Sequence, residues 1–333
     1  MTADVVCVAS WNADLVVRLP RPPARGETLM AHGFTIGPGG KGSNAAVAAA
    51  RQGARVAVLA RLGDDDFGRM ALAQWAGEGI DATAVEIAPG EPSGVAQIQV
   101  FDDGDNTIAV APGAGAGLAP RHAQAAAPLL RTCKVVMASN EVPAACTAEA
   151  FAIARAAGAF TLLNPAPAAT LAPALLALVD LLTPNETELR ALAGLDADAP
   201  EDAAVQALQA QGAGAVLVTL GAAGCRLHLP GSAGQPPQAL AGHRVPVVDT
   251  IGAGDTFTGA LAAAIARGEA LADAMVLANA AAALAVGGAG ATASMPTLAA
   301  TRSWLANQQG SMKFSSRDER PACAGWSPSG TTW

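Results

Sequence analysis

The sequence predicts an α/β protein: a mostly parallel central sheet with helices on both faces, of Rossmann type, plus a small β-sheet lid. Three observations carry this reading. Short apolar runs of strand length recur along the chain, alanine-rich segments of helical length lie between them, and two pairs of alternating segments break that rhythm early on. The strand-length runs are almost continuously hydrophobic, as expected of strands covered on both faces.

In order, the apolar runs fall at 5–9, 56–61, 135–138, 160–163, 179–182 and 216–220. The intervening helical segments fall at 41–52, 67–78, 147–157, 186–192 and 201–211. The segments at 15–18 with 27–37, and at 95–101 with 107–110, read instead as lid strands. Asp102-Asp103-Gly104-Asp105-Asn106 joins the second pair as a hairpin turn. That acidic turn fails the spacing of a calcium loop and reads as a solvated turn. Two helices close the chain's second half, at 254–267 and 271–286, each followed by glycine. After 298–307 the periodicity ends, and 310–333, rich in Ser, Gly and Pro, reads as a disordered or adventitious tail.

Composition narrows the function. The 333 residues are 51% hydrophobic and 14% charged, with a net charge of −8. A chain of this length builds a core without disulfide or metal staples. The acidic balance excludes a nucleic-acid binder, which normally presents a basic face. Five cysteines (Cys7, Cys133, Cys146, Cys225, Cys323) show no C-x-x-C pair and read as buried thiols in a reducing compartment. The four histidines lack metal-ligand spacing. MTADVVCVAS carries an acid where a signal peptide needs basic residues. The longest apolar stretch is broken by Arg267, Glu269 and Asp273, so no membrane span is expected. The expectation is a cytoplasmic protein.

Val247-Val248-Asp249-Thr250-Ile251-Gly252-Ala253-Gly254-Asp255 is the strongest local signal. It reads as a strand, a tight glycine turn and an immediate helix, an arrangement whose free N–H groups and positive helix end attract an anion. A carboxylate there repels what the turn attracts. Asp255 is therefore either an ordinary residue of a helix start or a general base that takes a proton from an attacking hydroxyl. Gly37-Pro38-Gly39-Gly40-Lys41-Gly42-Ser43-Asn44 is the second signal. It fails the Walker A test, because Gly42 follows Lys41, and it fails G-x-G-x-x-G. What remains is a glycine turn that offers Lys41, backbone N–H groups and Asn44 to a polar ligand, or else simple helix packing.

Taken together, these two stretches, Ser10-Trp11-Asn12-Ala13-Asp14 and Thr183-Pro184-Asn185-Glu186-Thr187-Glu188 resemble the ribokinase (PfkB) family of carbohydrate kinases over about residues 4–306. The resemblance implies a kinase domain over 1–309, with lid strands from about 15–37 and 94–111. It implies ATP-dependent phosphorylation of the 5-hydroxyl of D-ribose, with Asp255 as base and Gly252, Ala253 and Gly254 as the anion hole. Asn12, Asp14, Gly40, Lys41, Asn44 and Glu141 would bind the sugar. Asn185, Thr219, Gly221, Gly224 and Asn279 would meet the nucleotide, and Glu188 the Mg²⁺ region. Asp249, Ile251, Ala285, Gly288, Gly290 and Ser294 would hold K⁺. A homodimer through the lid is also implied. Trp11, Thr258 and Gly288 depart from the residues the family pattern leads one to expect. The alternatives are a family kinase for 2-deoxyribose, fructose or a nucleoside, and an idle member that only senses a sugar or nucleotide.

Overall fold

The computed structural model describes residues 2–232 and 234–311. The chain opens with β1 (Val5–Val8), β2 (Asn12–Leu19), β3 (Gly33–Gly39), α1 (Lys41–Arg51), β4 (Val56–Gly63), α2 (Asp66–Gly77) and β5 (Asp81–Ala88). It continues through β6 (Gly94–Phe101), β7 (Asn106–Ala111), α3 (Pro120–Ala125), α4 (Ala127–Leu130), β8 (Val135–Ser139), α5 (Ala144–Ala156) and β9 (Phe160–Asn164). Then follow α6 (Pro173–Leu176), β10 (Leu181–Leu182), α7 (Glu186–Ala193), α8 (Glu201–Ala210), β11 (Ala215–Thr219), β12 (Gly224–His228) and β13 (Gln238–Ala241). The last helices are α9 (Ala253–Ala266), α10 (Leu271–Ala285) and α11 (Leu298–Ser311).

Nine strands form the main sheet in the order β13-β12-β11-β10-β9-β8-β1-β4-β5. All neighbours are parallel except β11-β12 and β12-β13. Successive residues of β1 alternate between two cores: Val5 and Cys7 pack with α1 and α9, Val6 and Val8 with α5. The continuous apolar runs thus mark strands covered on both sides. Strand order reverses between β4 and β8 on either side of β1, a switch point at whose carboxyl edge such sheets bind ligands. β3-β2-β6-β7 form the second, four-stranded sheet.

Helices α1 and α9 lie side by side in the same direction, with residues 44–49 of one meeting 255–259 of the other. Their contact depends on small residues. A Cβ at Gly259 would run into the Ala45 carbonyl and lie 2.6 Å from Ala48 Cβ. Both helices therefore aim their amino ends at one place.

Several expectations need correction. Val247 and Val248 form no strand; they lie exposed beyond β13, and Val248 N–H bonds the Val286 carbonyl. Their β-branched character suggested a strand, yet the sheet offers them no neighbour. The lid strand expected at 27–37 begins only at Gly33, because Glu27 is occupied by Arg21 and the Ala24 N–H in a local knot. Its partner starts earlier than 15, at Asn12. The run at 179–182 contributes only Leu181–Leu182, since buried Asp180 takes its bonds from Thr161 instead. α5 starts at Ala144 rather than 147. β5, β12 and β13 were not foreseen: as edge or near-edge strands they are less uniformly apolar. α11 runs on to Ser311, and the rest of the segment set apart as a tail lies outside the described residues. The acidic turn at 102–106 is exposed, as expected.

Candidate active site

The amino end of α9 is built by Gly252, whose φ of 76° lies in the left-handed region. A Cβ there would sit 2.6 Å from the Ala291 carbonyl oxygen, so the position requires glycine. At the start of α9 the Ala253 N–H makes only a long 3.3 Å bond to the Thr250 carbonyl, and with the N–H groups that follow it, which lack intrahelical partners, it offers a natural cradle for an anion. One turn in, Asp255 is buried. The Asn44 side-chain N–H donates to Asp255 Oδ2 at 2.9 Å. The other end of that amide, Asn44 Oδ1, is buried without a partner. A buried acceptor left open is costly unless a ligand donor meets it.

Burial pushes the Asp255 carboxyl up to about 6; Lys41 and the Asn44 bond oppose the rise, while Glu141 and Glu188 add to it. A carboxylate with such a value holds a proton weakly enough to be ionised at neutral pH and strongly enough to accept one.

Glu141, just beyond β8, organises the neighbouring end of the site. Its Oε2 accepts the Ser10 hydroxyl at 2.7 Å and the Lys41 N–H at 2.8 Å. Ser10 Oγ in turn accepts the Gly42 N–H at 3.1 Å. Gly40, with φ 92°, lets α1 begin against the backbone of Trp11, where a Cβ would lie 2.8 Å from Cα. Asp14, on β2, presses its carboxylate against Gly39, where a Cβ would overlap it. Burial, followed by the charges of Glu141 and Asp255, pushes Asp14 up to about 6. Asn12 is buried beside Gly94 at the start of β6. Asn12, Asp14, Gly40, Lys41, Asn44, Glu141 and Asp255 thus come together. Three carboxylates around one lysine suit the hydroxyls of a neutral polyol and repel an anionic acceptor. Ser10 was not among the expected site residues; its position inside the first motif was the available signal.

The other end of the site is mostly backbone. Asn185 and Glu188 form a reciprocal cap on α7: Asn185 Oδ1 accepts the Glu188 N–H at 2.8 Å, and Glu188 Oε2 the Asn185 N–H at 2.9 Å. The same residues lie next to Thr219, which bridges to Asn185 and donates its N–H to the Pro184 carbonyl. Gly221 and Gly224 shape the turn from β11 into β12, Gly224 with φ 99° against β13. Asn279, on α10, spends its amide N–H on the Ala241 carbonyl at 2.9 Å. Beyond the anion cradle, Asp249 Oδ1 accepts the Ile251 N–H and Oδ2 the Gly290 N–H, each at 3.0 Å. The Ser294 hydroxyl donates to the Gly290 carbonyl at 3.0 Å. Ala285 ends α10, and a Cβ at Gly288 would lie 2.8 Å from Ser294 Cβ, so a glycine suits this tight loop.

A buried carboxylate near the amino end of α9, with polar side chains gathered beside it at the switch point of the sheet, is an arrangement that suits a phosphotransferase. A family model described as pfkB family carbohydrate kinase matches residues 2–298. The chain is 36% identical to a ribokinase of Haemophilus influenzae over 308 residues, covering 92% of this chain and 99% of that one. It is 34% identical to a deoxyribokinase of Salmonella typhimurium, covering 89% and 96%. The structure of Arabidopsis thaliana ribokinase complexed with ribose and ATP superposes with a TM-score of 0.84 at 32% identity, covering 92% and 99%. The chain belongs to the pfkB family of carbohydrate kinases, and it is a sugar kinase. Among the described residues no helix is long and apolar enough to cross a membrane.

Proposed function

We propose that the protein transfers the γ-phosphoryl group of ATP to the 5-hydroxyl of D-ribose, giving ribose 5-phosphate and ADP in the cytoplasm. The observation that carries this reading is Asn44, which holds the buried base Asp255 with its N–H while its own carbonyl oxygen waits for a hydroxyl. Asn12, Asp14, Lys41 and Glu141 fix the remaining hydroxyls, so that one faces Asp255. Asp255 takes that proton as the oxygen attacks, and the N–H groups of Gly252, Ala253 and Gly254 receive the negative charge of the phosphoryl group. The Thr219, Gly221, Gly224 turn and Asn185 would carry the nucleotide, with Asn279 at its base end.

Two cations accompany this reading. Mg²⁺ neutralises nucleotide phosphates and keeps much of its water, so one nearby carboxylate, Glu188, suffices. K⁺ would sit at Asp249 with carbonyls of Ile251, Ala285, Gly288 and Gly290 and with Ser294. The fit is supported by the bond that ties Asp249 across the chain to Gly290.

A homodimer through the lid completes the proposal. Strand register puts Ile98, Ile108, Ala96 and Val110 on the same lid face as Asp14, and Ile108 and Val110 are exposed. A second lid covering that face would remove an apolar patch from water and close the sugar site.

ADP release with a panel of sugars, in potassium and again in sodium, tests the reading. Ribose should be turned over best, and faster in potassium. Better turnover of 2-deoxyribose, the second reading favoured by the Salmonella relative, or of fructose or a nucleoside would replace the substrate. Tight ribose binding without ADP release would make the protein a sensor.

A further inference from the structure

The main chain crosses between core sheet and lid at four places: residues 9–12 leading into β2, 39–43 leading out of β3, 93–94 leading into β6, and 111–113 leading out of β7. The first three crossings are tied by hydrogen bonds to one helix, α2. At its start, the capping residue Asp65 accepts the Ser93 N–H at 2.8 Å and the Ser93 hydroxyl at 2.7 Å. Near its end, Gln74 Oε1 accepts the Trp11 indole N–H at 2.9 Å. The next residue, Trp75, donates its indole N–H to Ser43 Oγ, also at 2.9 Å. The Ser43 hydroxyl points back toward Gln74 Oε1 at 3.5 Å.

Trp11, Ser43, Trp75 and Ser93 are all buried, Ser43 and Trp75 completely. Trp11 and Ser43 each stand next to groups that meet the sugar site. Trp11 separates Ser10, which holds Glu141, from Asn12. Ser43 separates Gly42, which bonds Ser10, from Asn44. Two indole N–H groups buried without acceptors would be costly, so Gln74 and Ser43 restrict the rotamers of both tryptophans.

We propose that Trp11 and Gln74, with Trp75 and Ser43, are positioning residues for the sugar pocket: they set the sugar's affinity by fixing two of the four lid crossings to α2. None of the four touches the reacting atoms. The proposal rests on reading this pocket as the sugar end of the site, though not on which sugar fills it.

The test is steady-state kinetics on Trp11→Phe, Gln74→Met, the double variant and Gln74→Glu, with both substrates varied. Trp11→Phe keeps a ring and loses the donor; Gln74→Met keeps the volume at a half-buried position and loses the acceptor. Each should raise the sugar KM by about five- to tenfold, the scale of one buried hydrogen bond, with the ATP KM within about twofold of wild type. The double variant should be no worse than the worse single one, and Gln74→Glu, which keeps an acceptor, should restore the wild-type sugar KM.

An unchanged sugar KM, equal changes in both KM values, or additive effects would overturn the proposal and leave the contacts merely structural. If Trp11→Phe fails to fold, Gln74→Met against Gln74→Glu decides alone. Ratios to wild type are taken on whichever sugar the wild type turns over fastest. A preference for another sugar therefore overturns only the ribose assignment.

Discussion

The two ends of the active site are made of different material. At the sugar end, side chains hold side chains: Ser10 to Glu141, Asn44 to Asp255, Asp14 against Gly39, all at low exposure. At the proposed phosphate and cation end the groups on offer are N–H and carbonyl groups of Gly252–Gly254 and Gly288–Gly290, with Asp249 as a tie. Side chains can present acids and a base whose charge depends on pH. Backbone presents fixed dipoles that do not titrate. One end is therefore suited to choosing hydroxyls and moving a proton, the other to holding charge that develops during transfer.

Removing the base should break this contrast most sharply. Asp255→Asn keeps the shape and the Asn44 neighbour but cannot accept a proton. Loss of kcat by about 10²–10⁴-fold is expected, with the ATP KM little changed. Stopped or steady-state ADP release measures this, and retained turnover would remove Asp255 from its role. The same variant bears on stability. The folded-state value of about 6 lies above the ordinary 3.8. The stabilising contribution of the protonated group is thus full below about 3.8 and is lost as pH rises through about 6. Asp255→Asn should accordingly melt higher than wild type at pH 7 and show no such advantage at pH 4.

A smaller effect is expected at the backbone end. Gly252→Ala places a Cβ near the Ala291 carbonyl in a left-handed conformation, so the turn must shift. A drop in kcat of about 10²-fold, comparable to losing one oxyanion donor, should leave the sugar's dissociation constant unchanged. A loss of sugar binding instead would show that the two ends are not separable.

The smallest effect is the pH profile itself. With Asp255 near 6 in the free protein, kcat/KM for the sugar should fall at least tenfold per pH unit below that value, and more steeply if protonation of Asp14 in the same range also weakens the sugar's binding. Gly252→Ala should keep the shape of this profile at its reduced height. A shifted profile in that variant would mean that the backbone end tunes the base.

This division also explains what could be read from the chain beforehand. Lys41, Asn44, Glu141 and Asp255 are conspicuous as residues, and the structure brings them together. The parallel strands were legible because burial on both faces leaves an unbroken apolar run. β5 and β12 were not, since a place at or next to the sheet's edge permits Glu86 or Arg226 in a strand. Val247 and Val248 misled for the converse reason: a β-branched pair signals a strand only if a neighbour is available. Carbonyl groups at 285–290 leave no mark on residue type, so that end depended on family resemblance. Gln74 and Trp75, thirty residues from the glycine turn they brace, could not be assigned from spacing at all.

The contact between α1 and α9 has a genetic consequence. Every amino-acid change reachable from a glycine codon by one base adds at least a Cβ. At Gly259 that atom meets the Ala45 carbonyl and would wedge α1 from α9, and with them Asn44 from Asp255. Position 259 lies a full turn from Asp255, yet every amino-acid replacement one base away places that atom between the two helices. The alanines around it are buried as well, so the whole contact resists enlargement, and at 259 even the smallest side chain is too large.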